Sequence, residues 1–100
     1  MEGVEYWFYV PSTTSIDMLP LKRRLEEMFI DAFGGFTAIS ASGGWKSPSE
    51  KVIMEPVVVY QCVDIKMAAT TLDIEAITTY IKEAYEQESV LVISRPAWQF

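Results

Sequence analysis

The sequence predicts an α+β fold in which one four-stranded antiparallel sheet carries two helices on a single face. Three observations predict it. The stretch from Phe36 to Val63 holds two extended runs, Phe36 to Ser42 and Val52 to Val63, on either side of Gly43-Gly44-Trp45-Lys46-Ser47-Pro48. Two such runs around a Gly/Ser/Pro loop are the pattern of a β-hairpin with a long turn. A segment with helical apolar spacing precedes the hairpin and another follows it. Each of these leads to or from one further apolar run, so the order is strand, helix, strand, strand, helix, strand.

The first strand runs from Val4 to Val10, with Val4, Tyr6, Phe8 and Val10 on one face and Glu5, Trp7 and Tyr9 on the other. β-branched and aromatic residues favour the extended state, and both faces here are largely apolar. Pro11 ends this strand, and the hydroxyl-rich loop Ser12-Thr13-Thr14-Ser15 follows. Asp17 suits the N-cap of the first helix, and Pro20 suits its first turn, where the missing N–H removes no bond. Leu21, Leu25, Met28, Phe29 and Ala32 form one apolar stripe, and Gly34-Gly35 stops the helix through a left-handed glycine.

In the second hairpin strand Pro56 lacks a ladder donor, which predicts a bulge or a locally open edge. The second helix starts from Thr70 or Thr71 and places Ile74, Ile77, Ile81, Ala84 and Tyr85 on one face. The last strand is the run Ser89 to Ser94, ended by Arg95-Pro96 and followed by Ala97-Trp98-Gln99-Phe100.

Composition narrows the function classes. One hundred residues, 50% hydrophobic and 22% charged, predict a single globular domain over residues 1–100. The net charge of −6 repels phosphate backbones and argues against general nucleic-acid binding. There is no His and one Cys, Cys62, so a transition-metal site of His/Cys type and a Ser-His or Cys-His catalytic pair are both excluded. No cofactor is expected. Cys62 lies within an apolar run and reads as a buried structural thiol. No apolar stretch approaches the ~20 residues of a membrane span, and Met1-Glu2-Gly3-Val4-Glu5 lacks the basic start of a signal peptide. A cytoplasmic setting, away from membranes, is the expectation.

A βαββαβ order with right-handed crossovers gives the split βαβ, ferredoxin-like sandwich, with sheet order 4-1-3-2. Such a sheet has one bare face in a monomer, so its strands should alternate apolar and polar residues. Three of the four strands are instead apolar on both faces. The expectation is a homodimer or higher oligomer packed through the bare sheet face.

The residues Phe33-Gly34-Gly35-Phe36-Thr37, then Gly43-Gly44-Trp45, then Glu55, resemble a pattern in small uncharacterised bacterial and phage proteins of ferredoxin-like type. Those carry Phe-Gly-Gly-x-Thr, Gly-x-Trp and an acidic residue in the next strand. The resemblance spans about a third of the chain and implies the fold rather than an activity. The topology is also similar to dimeric ferredoxin-like modules that bind metabolites and to cofactor-free monooxygenases, by fold analogy.

The candidate site follows from topology. The end of the first strand, the start of the first helix and the hairpin loop are expected at one edge. That would gather Ser12, Thr13, Thr14, Ser15, Arg23, Trp45, Lys46 and Ser47. A helix N-terminus with hydroxyls and cations attracts anions, and Trp45 offers a ring to stack on. The cluster suits a nucleotide or another phosphorylated small molecule, although the same residue types commonly serve as caps and turns. Arg95 and Trp98 form a second cluster at the opposite edge, where an interface plug is the more common role of such a Trp. Glu55, if buried, would be a candidate general base with Tyr6, Tyr60 or Arg95 as partner; an edge carboxylate in solvent is the commoner outcome.

Three functions fit: a non-catalytic, ligand-binding homo-oligomer, including one that sequesters a nucleotide messenger; a small cofactor-free enzyme; and a stoichiometric protein-binding inhibitor. The first fits the missing histidines and the two-faced apolar strands best.

Overall fold

The computed structural model describes residues 2–12, 16–65 and 68–100. The element order is β1 (Glu2–Pro11), a 3-10 turn (Ile16–Met18), α1 (Leu19–Phe33), β2 (Thr37–Lys46), β3 (Val52–Asp64), α2 (Thr71–Ala84) and β4 (Val92–Trp98). The sheet is antiparallel with order β2-β3-β1-β4, the expected 4-1-3-2 arrangement read from the other edge. This is the ferredoxin-like sandwich.

The core lies between the sheet and the helices. Even-numbered residues of β1 and β3 face it: Phe8, Val10, Tyr60 and Cys62 are buried with Leu25 and Phe29 of α1 and Ile77 and Ile81 of α2. The Phe29 ring packs 5.0 Å from Phe8 and 4.9 Å from Tyr60, centroid to centroid. Burial of eight such side chains drives the fold, because each contributes about 1.5–3 kcal/mol on removal from water. Tyr80 Oη donates to the Leu21 carbonyl at 3.1 Å and ties α2 to α1. Cys62 is buried, and burial pushes its thiol up to about 12, so it is a structural thiol without thiolate reactivity at neutral pH.

Local signals behave largely as the sequence implies. Pro20 lies in the first turn of α1, and Gly34 ends the helix at φ 84°, donating its N–H to the Ile30 carbonyl. The α2 start is a capping box: Thr70 Oγ1 accepts from the Asp73 N–H, and Asp73 accepts from the Thr70 N–H.

Several boundaries differ from the sequence reading. Asp17 is not the N-cap of α1; a 3-10 turn consumes it and the cap position falls on Met18, which makes no side-chain cap bond. Gly43, Gly44, Trp45 and Lys46 are not loop but the end of β2, paired with Glu55, Met54, Ile53 and Val52. Gly44 suits that pairing because a Cβ there would stand 2.8 Å from the Met54 sulfur. The turn is therefore confined to residues 47–51, where Glu50 adopts φ 66°.

No bulge forms at Pro56. The β2–β3 register is continuous, with Pro56 opposite Ser42. The Pro56 carbonyl accepts from the Ser12 N–H at 2.9 Å, so this residue's backbone points toward β1. In an antiparallel strand N–H and C=O of one residue point the same way, so the missing donor faces the end of β1 rather than β2. β1 ends at Pro11 opposite Val57, and beyond the Ser12–Pro56 bond the β3 strand runs on toward the hairpin turn paired with β2.

β4 lies three residues later than expected, and Arg95-Pro96 is inside it. Tyr9 N–H donates to the Leu91 carbonyl, so odd residues of β4 bond to β1 and Pro96 presents its ring nitrogen to the free edge.

Candidate functional site

Odd-numbered residues of the sheet form the face away from the helices. Trp7 and Tyr9 of β1 stand beside Gln61, Val59 and Val57 of β3, Ile93 of β4 and Ile39 of β2. Ile39, Ile53, Val63 and Ile93 of this face are exposed. The surface continues onto the β2–β3 hairpin, where Trp45 pairs with Ile53 beyond the end of β1, while Val52 and Met54 are exposed on the opposite face of the hairpin.

One polar cluster interrupts it. Glu5 lies opposite Arg95 on β4 and Val63 on β3. Its carboxylate accepts from Trp7 Nε1 at 2.6 Å, Gln61 Nε2 at 2.6 Å and Arg95 Nε at 2.8 Å. The Glu5 side chain is 12% exposed and that of Arg95 is 58% exposed. The bond from Arg95 holds the Glu5 carboxyl below its ordinary range, with the Gln61 and Trp7 bonds in support. In turn the carboxylate raises the Arg95 pKa. The guanidinium stands 5.2 Å over the Trp7 ring, a cation–π position. Arg95 is thus held at its Nε by a carboxylate and over an indole ring, while more than half of its side chain stays exposed.

Beside this cluster lies an open groove of about 700 Å³, lined by Glu5, Gln61, Gly34, Gly35, Phe36 and Trp98 among others. The Gly34-Gly35 break positions its floor, because α1 must stop there for the chain to turn into β2. Trp98 is 63% exposed at its rim. Trp98 therefore stands at a concave surface that the Gly/Trp and hydroxyl signals did not single out, and Arg95 is joined to it through its bond to Glu5 of the lining. The clue in the sequence is Glu5 as the one charge in an otherwise apolar β1 interior.

Among the described residues, Ser12 and the hairpin residues Trp45, Lys46 and Ser47 do not line one recess. Thr13, Thr14 and Ser15 lie outside the described residues. Ser12 lines a narrow recess with Met18, Leu19, Lys22 and Tyr85. Arg23 is exposed on the first turns of α1. Trp45 is 49% exposed on the outer face, paired with Ile53. Lys46 Nζ meets Glu50 at 2.7 Å, and Ser47 Oγ lies 3.0 Å from Ser49 Oγ. These three stand at the hairpin tip, roughly 13 Å along the strand from the Pro56 level where Ser12 bonds. Glu55 is exposed on the same hairpin opposite Gly43, as an edge carboxylate in solvent.

Tyr60 Oη donates to Glu26 Oε2 at 3.0 Å in the core, and burial with the neighbouring Glu26 raises the phenol pKa. Among the described residues no group of three His, Cys, Asp or Glu side chains is arranged to hold a metal ion. No helix among them is long and apolar enough to cross a membrane.

Residues 23–100 match the profile of a family described as "Protein of unknown function (DUF3574)". No curated protein matches the chain. Among solved structures, the chain resembles a phage SAM lyase in complex with S-methyl-5'-thioadenosine, at TM-score 0.61 and 17% identity over 93% of this chain and 80% of that one. The divalent cation tolerance protein from Thermus thermophilus aligns at TM-score 0.62 and 12% identity, covering 100% of this chain and 87% of that one. The periplasmic divalent cation tolerance protein CutA from Archaeoglobus fulgidus aligns at TM-score 0.58 and 10% identity, with the same coverages. At these identities the likeness concerns the fold.

Proposed function

The chain belongs to the DUF3574 family, and on that premise we propose that it is a non-catalytic, homo-oligomeric binding module for a small anionic molecule of nucleotide type. The single observation that carries this reading is the Glu5–Trp7–Gln61–Arg95 cluster beside the groove. A guanidinium fixed by a carboxylate and an indole presents its Nη donors at little entropic cost, which suits a phosphate or carboxylate. Phe36 and Trp98 supply apolar and aromatic walls for a ring. The phage relative bound to an adenosine thioether supports a ligand of nucleoside size on this fold.

Oligomerisation belongs to the same proposal. The outer sheet face, with Trp7, Tyr9, Val59 and Ile93, is the surface through which copies pack, and the buried thiol of Cys62 is compatible with a cytoplasmic setting. A catalytic reading is the weaker one, because Glu55 is exposed and Cys62 and Tyr60 are buried with raised pKa values.

Calorimetric titration with nucleoside monophosphates and diphosphates, with inorganic phosphate and S-methyl-5'-thioadenosine as comparisons, tests it. Saturable binding of a phosphorylated nucleoside, weakened at least about tenfold by Arg95→Met, is expected. Absence of binding across the panel by a folded oligomer, or sustained conversion of a bound nucleotide or of SAM, would overturn it.

A further inference from the structure

We infer that the free edge of β2 pairs antiparallel with β2 of a second copy, and that this seam brings the hairpin tip of each chain to the groove of the other. β2 is an edge strand of ten residues. Because Pro56 and the other even residues of β3 point toward β1, the odd residues of β2 bond to β3. The N–H and C=O groups of Ala38, Ser40, Ser42, Gly44 and Lys46 therefore point outward, away from the sheet.

Protein edges are ordinarily protected by charge, proline, a bulge or a cover. From Thr37 to Trp45 this strand has no charged residue and no proline, and its register is unbroken. The opposite edge differs, since β4 carries Pro96 with its ring nitrogen outward. In a chain of net charge −6, this long uncharged edge is a place where two copies meet without repulsion.

A second β2 is the occupant because one register satisfies the whole row. With Ser42 opposite the partner's Ser42, Ser40 faces the partner's Gly44 and Ala38 faces the partner's Lys46. Every outward N–H and C=O of the five residues then has a counterpart. Side chains agree with that register. Ile39, 40% exposed, comes beside the partner's Trp45, 49% exposed in the isolated chain. Ala41 comes beside the partner's Gly43, a pair of small residues. Directly opposed apolar pairs of this kind stabilise a ladder.

The same register sets Thr37 beside the partner's Ser47. Thr37 lines the groove together with Phe36, Gly34 and Gly35. Neighbouring strands lie about 4.8 Å apart, so the partner's Trp45, Lys46 and Ser47 reach the groove mouth of the first chain. The hairpin-tip residues, remote from Ser12 within one chain, become part of a two-chain site. This last step rests on the ligand-binding reading; the seam itself does not.

The test uses the full chain without ligand. Amide hydrogen exchange of the wild-type protein at low and high concentration reports the seam. The N–H groups of Ala38, Ser40, Ser42 and Gly44 are expected to slow by about 100-fold or more at high concentration. Single cysteines fix the register. A hydrogen-bonded antiparallel pair has Cα atoms about 5.5 Å apart, within disulfide range. Ser42→Cys is therefore expected to form a disulfide-linked dimer rapidly under mild oxidation. Ser40→Cys, offset from its own copy by roughly 13 Å, and Ser49→Cys in the turn should not. Free exchange of the four amides at high concentration would overturn the seam. Protection without preferential linking at position 42 would overturn the symmetric register and the two-chain site. A failure of nucleotide binding would leave both results standing.

Discussion

Glu5 and Arg95, 90 residues apart in sequence, meet directly across the β1–β4 ladder, with Arg95 Nε donating to Glu5 Oε2 at 2.8 Å. The pair also fixes Trp7 and Gln61, so one carboxylate organises the polar part of an apolar sheet face. Its pKa is held below the ordinary value of 4.5. A depressed folded-state pKa contributes stability that is fully present above the unfolded value and lost as pH falls through the folded one. Chemical denaturation of wild type and Glu5→Gln from pH 7 to pH 2 is expected to show a constant gap down to about pH 5 that closes at lower pH. A gap independent of pH over that range would contradict the assignment.

Tyr60 supplies a second test. Its hydroxyl donates to Glu26 Oε2, and Tyr60 is 1% exposed. Tyr60→Phe should lose about 1 kcal/mol of stability, and a double-mutant cycle with Glu26→Ala should recover most of that loss as coupling. Additive single effects would show that the contact contributes nothing.

Glycine substitutions distinguish close approach from empty space. A Cβ on Gly3 would stand 2.7 Å from the Asp64 carbonyl oxygen and 2.8 Å from Ile65 Cα, both backbone atoms. Gly3→Ala is expected to cost about 1–3 kcal/mol through strand displacement. Gly35→Ala meets nothing within 4 Å and should change stability by less than about 0.5 kcal/mol. Gly34→Ala also has room, but φ 84° strains an L side chain, and a loss of about 1 kcal/mol is expected from thermal unfolding.

The capping box of α2 predicts a local effect. Thr70→Ala removes the acceptor for the Asp73 N–H and should cost about 1 kcal/mol, whereas Thr70→Ser should retain most of it. Equal losses in both variants would count against the cap.

The outer sheet face predicts a change in assembly. Ile93 pairs opposite Trp7 and is 41% exposed. Ile93→Asp should leave the circular dichroism spectrum unchanged and reduce the sedimentation coefficient at a given concentration. An unaltered assembly would exclude this face as a contact surface.

Sequence by itself determined the element order and the sheet topology, because each element announces itself locally: the Leu25–Phe29 stripe, the Gly34 stop, the threonine start of α2 and the β-branched and aromatic run of β1. It also determined that both faces of β1 are largely apolar. Only the tertiary structure decided where strands end. Pro56 and Pro96 look like breakers in one dimension, but whether a proline interrupts a ladder depends on which neighbour its nitrogen faces, a property of register. Placement of the site was decided the same way. Ser12 and Trp45 seem adjacent when the hairpin is drawn short, yet pairing through Gly43 and Gly44 carries Trp45 to the tip. Glu5, Gln61 and Arg95 carry no local signal of their association, because their meeting depends on three strands pairing at one level of the sheet.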